Sequence, residues 1–217
     1  MNRRLQSAFF TLATFLLASF AQADDSGWQP LFNSDNLDGW EHVGPGRFVI
    51  EDGKLKTEGG LGLLWYTREK ISNAKLRIVY HAPESQKAGN AGVFIRIPEE
   101  PTEPWMPVNR GYEIQIDDTD DDYHRTGVVY SFTKAKSKPA VREWNTMEIT
   151  LDGDRTIVHV NGELVTDYRE GEGQPAKKDA GEPDRGPRPT AGYIGLQNHG
   201  DGDVVYFREV SLQKLKP

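Results

Sequence analysis

The 217-residue sequence has no cysteine, no apolar run long enough to cross a bilayer, no surplus of positive charge and almost no helical periodicity. Without cysteine no disulfide supports the fold, so apolar burial and strand pairing must carry its stability. The formal net charge is -7, from 26 basic and 33 acidic residues. That balance weighs against nucleic acid or anionic lipid as a partner, because both repel a surplus of carboxylates. Neutral and cationic ligands remain open.

The most apolar stretch, Ala8 to Phe20, follows Arg3 and Arg4 and precedes Ala21-Gln22-Ala23. A spanning helix needs roughly 20 apolar residues, and this run falls short. A basic start, an apolar middle and small residues at the end read as a signal peptide, residues 1–23, cut after Ala23. No cysteine stands at the cut to accept a lipid. The expectation is a periplasmic or secreted protein with no membrane anchor after cleavage.

From residue 24 on, short alternating or apolar segments recur between glycine-rich turns. The pattern predicts strands over Arg47–Glu51, Lys54–Thr57, Leu63–Tyr66, Ala74–His81, Gly92–Ile97, Tyr112–Asp117, Gly127–Tyr130, Asn145–Asp152, Thr156–Val160, Glu163–Asp167, Tyr193–Asn198 and Val204–Leu212. Asp52-Gly53, Asp152-Gly153 and Asn161-Gly162 are two-residue hairpin signals, since both central positions tolerate positive φ. Strands without crossover helices predict an all-β sandwich of two antiparallel sheets, one domain over residues 24–217. The Pro-, Gly- and charge-rich segment Arg169 to Thr190 is expected to be a long surface loop.

Alternation in GYEIQID places Tyr112, Ile114 and Ile116 toward the core and Glu113, Gln115 and Asp117 outward. The same reading of GVFIRIP puts Val93, Ile95 and Ile97 on one face and Phe94 with Arg96 on the other. In GYIGLQNHG, Ile194 and Leu196 face in while Tyr193, Gln197 and His199 face out. Three strands thus each present polar groups suited to sugar hydroxyls beside rings suited to sugar faces. On a curved sheet these side chains would converge in a concave groove.

Several motifs in order, GWQPLFNSDNLDGW, GLLWYT, GNAGVFIR, GYEIQIDD, EWN, GYIGLQNHG and VYFREV, resemble the bacterial 3-keto-disaccharide hydrolase family from about Gly27 to the C-terminus. The resemblance implies a concanavalin A-like jelly roll and cleavage, outside the cytoplasm, of glycosides already oxidised at C3. It also marks Arg96, Glu113, Gln115, Gln197, His199 and Arg208 as recurring polar positions. Ala91, Val79 and His81 depart from the family pattern.

A ketone at C3 acidifies the C2 proton, so a base can remove it while the glycosidic oxygen leaves C1, after which water adds. Such chemistry needs a base, a proton donor to the leaving oxygen and a group facing the enolate. Glu113 and His199 are the candidates for base and donor, and Arg96 for the enolate. Gln115 and Gln197 would position hydroxyls, with Asp117, Arg208 and Trp65 completing the expected substrate contacts. Direct displacement by two carboxylates ranks lower: Glu113 and Asp117 stand roughly 13 Å apart along a strand, against about 5 to 9.5 Å for known carboxylate pairs. A sugar-binding domain without catalysis is the alternative from another class.

No cofactor is required by these residues, and a divalent metal stays open, the acidic run Asp117 to Asp122 being its nearest candidate. Trp28, Trp40 and Trp144 read as core anchors. Trp105, in the loop PEEPTEPWMP, either stacks on a sugar from the rim or pins its loop.

Overall fold

The computed structural model describes residues 27–83, 89–117, 121–178 and 180–215; residues 1–23, expected to be a signal peptide, lie outside them. Two antiparallel sheets form the molecule. One has five strands in the order β2 (Trp40–Val43), β5 (Gly62–Tyr66), β12 (Tyr193–Asn198), β7 (Ala91–Ile97) and β8 (Tyr112–Ile116). The other runs β11 (Glu163–Arg169), β10 (Arg155–Val160), β9 (Asn145–Asp152), β6 (Ala74–His81), β13 (Tyr206–Lys214), β4 (Lys54–Glu58) and β3 (Arg47–Glu51), with the short β1 (Gln29–Pro30) paired to β13. This is the sandwich that the alternation predicted.

Its core lies between the inner rows of the two sheets. Leu76, Ile78 and Tyr80 of β6, Met147, Ile149 and Leu151 of β9, and Val210 and Leu212 of β13 belong to one buried cluster with Val93, Ile95, Ile114, Ile116, Ile194 and Leu196 from the five-stranded sheet. Burying each such aliphatic side chain contributes about 1.5–3 kcal/mol, which takes the place of the missing disulfides.

Two of the hairpin turns form as expected, with positive φ at both residues of Asp52-Gly53 and of Asn161-Gly162. The third is displaced by one residue. Asp152 pairs with Arg155, so the loop is Gly153-Asp154, with Gly153 (φ 57°) at its first position. The expected strand Gly127–Tyr130 is a run of turns. It follows the free edge of β8 nonetheless: the Gln115 and Tyr130 N–H groups donate to Val128 O and Glu113 O, and that of Gly127 to Gln115 O. An irregular segment covering an edge strand satisfies its backbone and blocks sheet-to-sheet association. Alternation did not reveal β1, β2 or the short helix α1 (Met106–Arg110).

The largest departure concerns Arg96. Between β7 and β12, Tyr193 pairs with Ile97 and Gly195 with Phe94, so β7 holds one extra residue. This β-bulge carries Arg96 at φ 56°, and a bulge inverts the facing of everything beyond it. Ile97 therefore joins Phe94 in an outer apolar cluster, while Arg96 turns away from that face. It is 2 % exposed, and its guanidinium donates to Pro189 O (3.0 Å), Gly153 O (2.8 Å) and Arg155 O (3.3 Å). Gly192 leaves room for the bulge, since a Cβ there would lie 2.4 Å from the Arg96 carbonyl carbon.

Arg96 is thus a clamp between β7, the β9–β10 turn and the segment before β12. Arg96→Met should leave three carbonyls short of a donor at about 1–3 kcal/mol for the largest loss, lowering Tm by roughly 4–10 °C. Thermal unfolding followed by circular dichroism checks this; an unchanged Tm would remove the clamp.

Candidate functional site

Apart from Arg96 and Arg208, the polar side chains expected to meet do so on the outer face of the five-stranded sheet. Two rungs cross it. One reads Gln115, Gly92, Gln197, Leu63 and Val43; the next reads Glu113, Phe94, Gly195, Trp65 and Glu41. Phe94, Trp65, Leu63 and Ile97 pack there with Met106 and Val108 of α1. Trp105 packs against this cluster as well, so it pins its loop. Trp65 sits edge-on to Tyr193, centroids 5.0 Å apart, on the same face as Glu113 and three strands away.

Gly92 decides where Glu113 goes. A Cβ at position 92 would lie 2.5 Å from Glu113 Oε1 and 2.7 Å from its Cγ. The carboxyl therefore crosses β7 through the space a side chain would fill and reaches Gln197 on β12, whose amide hydrogen-bonds it. Glu113 is 5 % exposed. Burial pushes its carboxyl up to about 8, the bond from Gln197 offsetting only part of that. At neutral pH it carries its proton.

A second set of contacts extends from this pair. Gln115 Nε2 donates to Asn90 Oδ1 (3.2 Å), Asn90 Nδ2 donates to Asp117 Oδ2 (3.3 Å), and the Asn90 N–H donates to Asp203 Oδ1 (3.3 Å). His199 Nδ1 lies 2.9 Å from Asp203 Oδ2. With a carboxylate as acceptor, Nδ1 carries the hydrogen and Nε2 of the neutral ring is left as a lone pair. Two buried carbonyl oxygens, Gln115 Oε1 and Gln197 Oε1, have no hydrogen-bond partner among the described residues. Buried acceptors without donors are costly, and this face holds two.

Glu113, Gln115, Asp117, Gln197 and His199 thus belong to one neighbourhood, with Trp65 on its apolar flank. Arg96 does not, for the reason given above. Neither does Arg208: it occupies a second β-bulge, in β13 between Phe207 and Glu209, on the eight-stranded sheet and exposed. Three contributors were not singled out beforehand, Gly92, Asn90 and Asp203. The motif GNAG at the start of β7 and the spacing of His199 and Asp203 in NHGDGD were the available signals. Among the described residues no three His, Asp or Glu side chains converge as metal ligands, and Asp118, Thr119 and Asp120 of the acidic run lie outside them.

Glu113 ties stability to pH. Its ordinary value is 4.5 and its folded value about 8, so between these limits the folded chain holds a proton that the unfolded chain has released. Stability must then fall as pH rises through that window and level off above it. Tm measured from pH 5 to 9 should decline more steeply for the wild type than for Glu113→Gln; parallel profiles would contradict a buried neutral carboxyl. Gly92→Ala should displace that carboxyl and abolish the difference between the two profiles.

Residues 27–213 match the profile of a family described as the 3-keto-alpha-glucoside-1,2-lyase-like domain. Among solved structures, two candidate glycosyl hydrolases from Parabacteroides distasonis are similar. One is 21% identical, with a TM-score of 0.69 over 88% of this chain and 95% of its own. The other is 26% identical, with a TM-score of 0.68 over 87% and 99%. The carbohydrate binding module CBM66 from Bacillus subtilis shares the fold at 15% identity, with a TM-score of 0.56 over 81% of this chain and 96% of the module. No curated protein sequence matches. The fold is the concanavalin A-like jelly roll.

Proposed function

The chain belongs to the family of 3-keto-alpha-glucoside-1,2-lyase-like domains, and from that premise we propose that it is an exported enzyme cleaving glycosides that carry a ketone at C3. The observation that carries this reading is the outer face around Glu113: a neutral buried carboxyl beside two carbonyl oxygens that lack donors. Sugar hydroxyls are the donors those carbonyls require, and the buried Phe94 and Trp65 rings make the sheet beside them apolar.

In the proposed reaction the C2–H and C1–O bonds break, a C1–C2 double bond forms in conjugation with the C3 ketone, and water then adds across it. His199, in its neutral form, takes the C2 proton at Nε2 while Asp203 holds its Nδ1–H. Glu113 delivers its proton to the departing glycosidic oxygen, which is the role a carboxyl with a value near 8 fills at neutral pH. Gln115 and Gln197 accept the sugar hydroxyls. Arg96 takes no part, being enclosed by backbone carbonyls.

The reading is tested by incubating the protein with a 3-keto-glucoside and with the unoxidised glucoside. Aglycone should be released from the first alone, and Glu113→Gln should reduce kcat by about 100-fold or more. Because the donor is lost as Glu113 ionises, kcat/KM should fall as pH rises through about 8. A rate that climbs through this pH would make Glu113 the base. Binding without release would make the domain a sugar-binding module.

A further inference from the structure

A cavity of about 1000 Å³ lies on the outer face of the eight-stranded sheet, away from Glu113. It is bounded by the β1 segment on one side and the β3–β4 turn on the other. Its chemistry comes from two tryptophans and two arginines. The Arg77 guanidinium sits 3.9 Å from the centroid of the Trp28 ring, and that of Arg208 sits 4.6 Å from Trp144. Trp28 and Trp144, expected to be core anchors, are instead partly exposed and line this hollow.

The two arginines differ in how well they are partnered. Arg208 is exposed at its bulge and has no hydrogen bond or ion pair among the described residues; the Trp144 ring is its one recorded contact. Arg77 forms long ion pairs with Glu148 and Glu209, each at 3.7 Å, while its buried Nε makes no hydrogen bond among the described residues. Glu209 is itself occupied by the Ser211 hydroxyl at 2.8 Å. In a chain with 33 acidic and 26 basic residues, the Arg208 guanidinium, without an ion pair among the described residues and on the wall of this hollow, is a local reversal of charge. A guanidinium fixed against an indole presents its N–H fork in the geometry that suits a carboxylate.

We propose that this hollow is a second ligand site, for a glycan bearing a hexuronate residue. The carboxylate would lie between Arg208 and Arg77, the apolar face of its ring against Trp144 or Trp28, and its hydroxyls toward Ser34 and Asp52 on the cavity wall. The volume is at the upper end of the range for small-ligand pockets and accepts more than one sugar ring. The site stands on the opposite sheet, so it is independent of the reaction proposed for Glu113.

The five tryptophans make the test local. Methyl glucuronide, methyl glucoside and benzoate are each titrated into ¹⁵N-labelled protein while the indole N–H signals are followed. The glucuronide should move the Trp28 and Trp144 signals and leave Trp65 in place, with an affinity that weakens as salt is added and at least tenfold in Arg208→Gln or Arg77→Gln. Arg208 is exposed, so its variant keeps the fold, and an unchanged spectrum elsewhere verifies this. The proposal is overturned if the glucuronide produces no shift at 10-fold molar excess up to about 10 mM, a weak-affinity ceiling. It is equally overturned if the glucoside binds as well, if benzoate binds as well, or if Trp65 is the signal that moves.

Discussion

A carboxyl group in a place without water needs a reason to be there, and in this fold the reason is a missing side chain. Gly92 leaves a gap on β7 through which Glu113 reaches from β8 to Gln197 on β12. One absent methyl group therefore joins three strands through a single polar contact, and burial makes that contact chemically unusual by keeping a carboxylic acid neutral where most are ionised. The network through Asn90, Asp203 and His199 is arranged around the same strands. The apolar rows between the sheets fix the strands, and the strands fix the side chains.

Much of this was legible in the linear pattern. The strict alternation of β8 assigned Glu113, Gln115 and Asp117 to the outer face, and the same logic placed Gln197 and His199. The three-strand meander β9–β10–β11 followed from its turn dipeptides, although Gly153 sits one place earlier in its turn than the dipeptide implied. Elements without periodicity escaped: β1 has two residues, α1 has five, and β2 is a four-residue edge strand. Residues 127–130 looked like a strand because their bonding along β8 demands nearly the same residue types.

The two arginines show where alternation fails as a guide. Arg96 and Arg208 stand in motifs and in strands, yet each is the extra residue of a bulge. A bulge adds one residue to a period of two and so reverses the assignment beyond it. At β7 the reversal sends Arg96 to three backbone carbonyls and brings Ile97 out beside Phe94. At β13 it lifts Arg208 clear of the ladder and lays it on Trp144. Recurrence of a charged residue in a motif says that its position matters, while the local ladder decides whether it matters for shape or for a ligand.

The excursion between β11 and β12 has two halves of different character. Gly171 and Gly173 at its start adopt positive φ with open space around them. Arg185 and Arg188 near its end are fastened to older parts of the chain: Arg185 stacks on Phe132 and donates to Ser131, and Arg188 donates to Asn109 O and Gly111 O. Those last two carbonyls belong to the corner that launches the strand of Glu113. Lengthening the first half during divergence would cost this protein little, whereas a single deletion beside Arg188 would tug on the corner and, through it, on the register of the carboxyl.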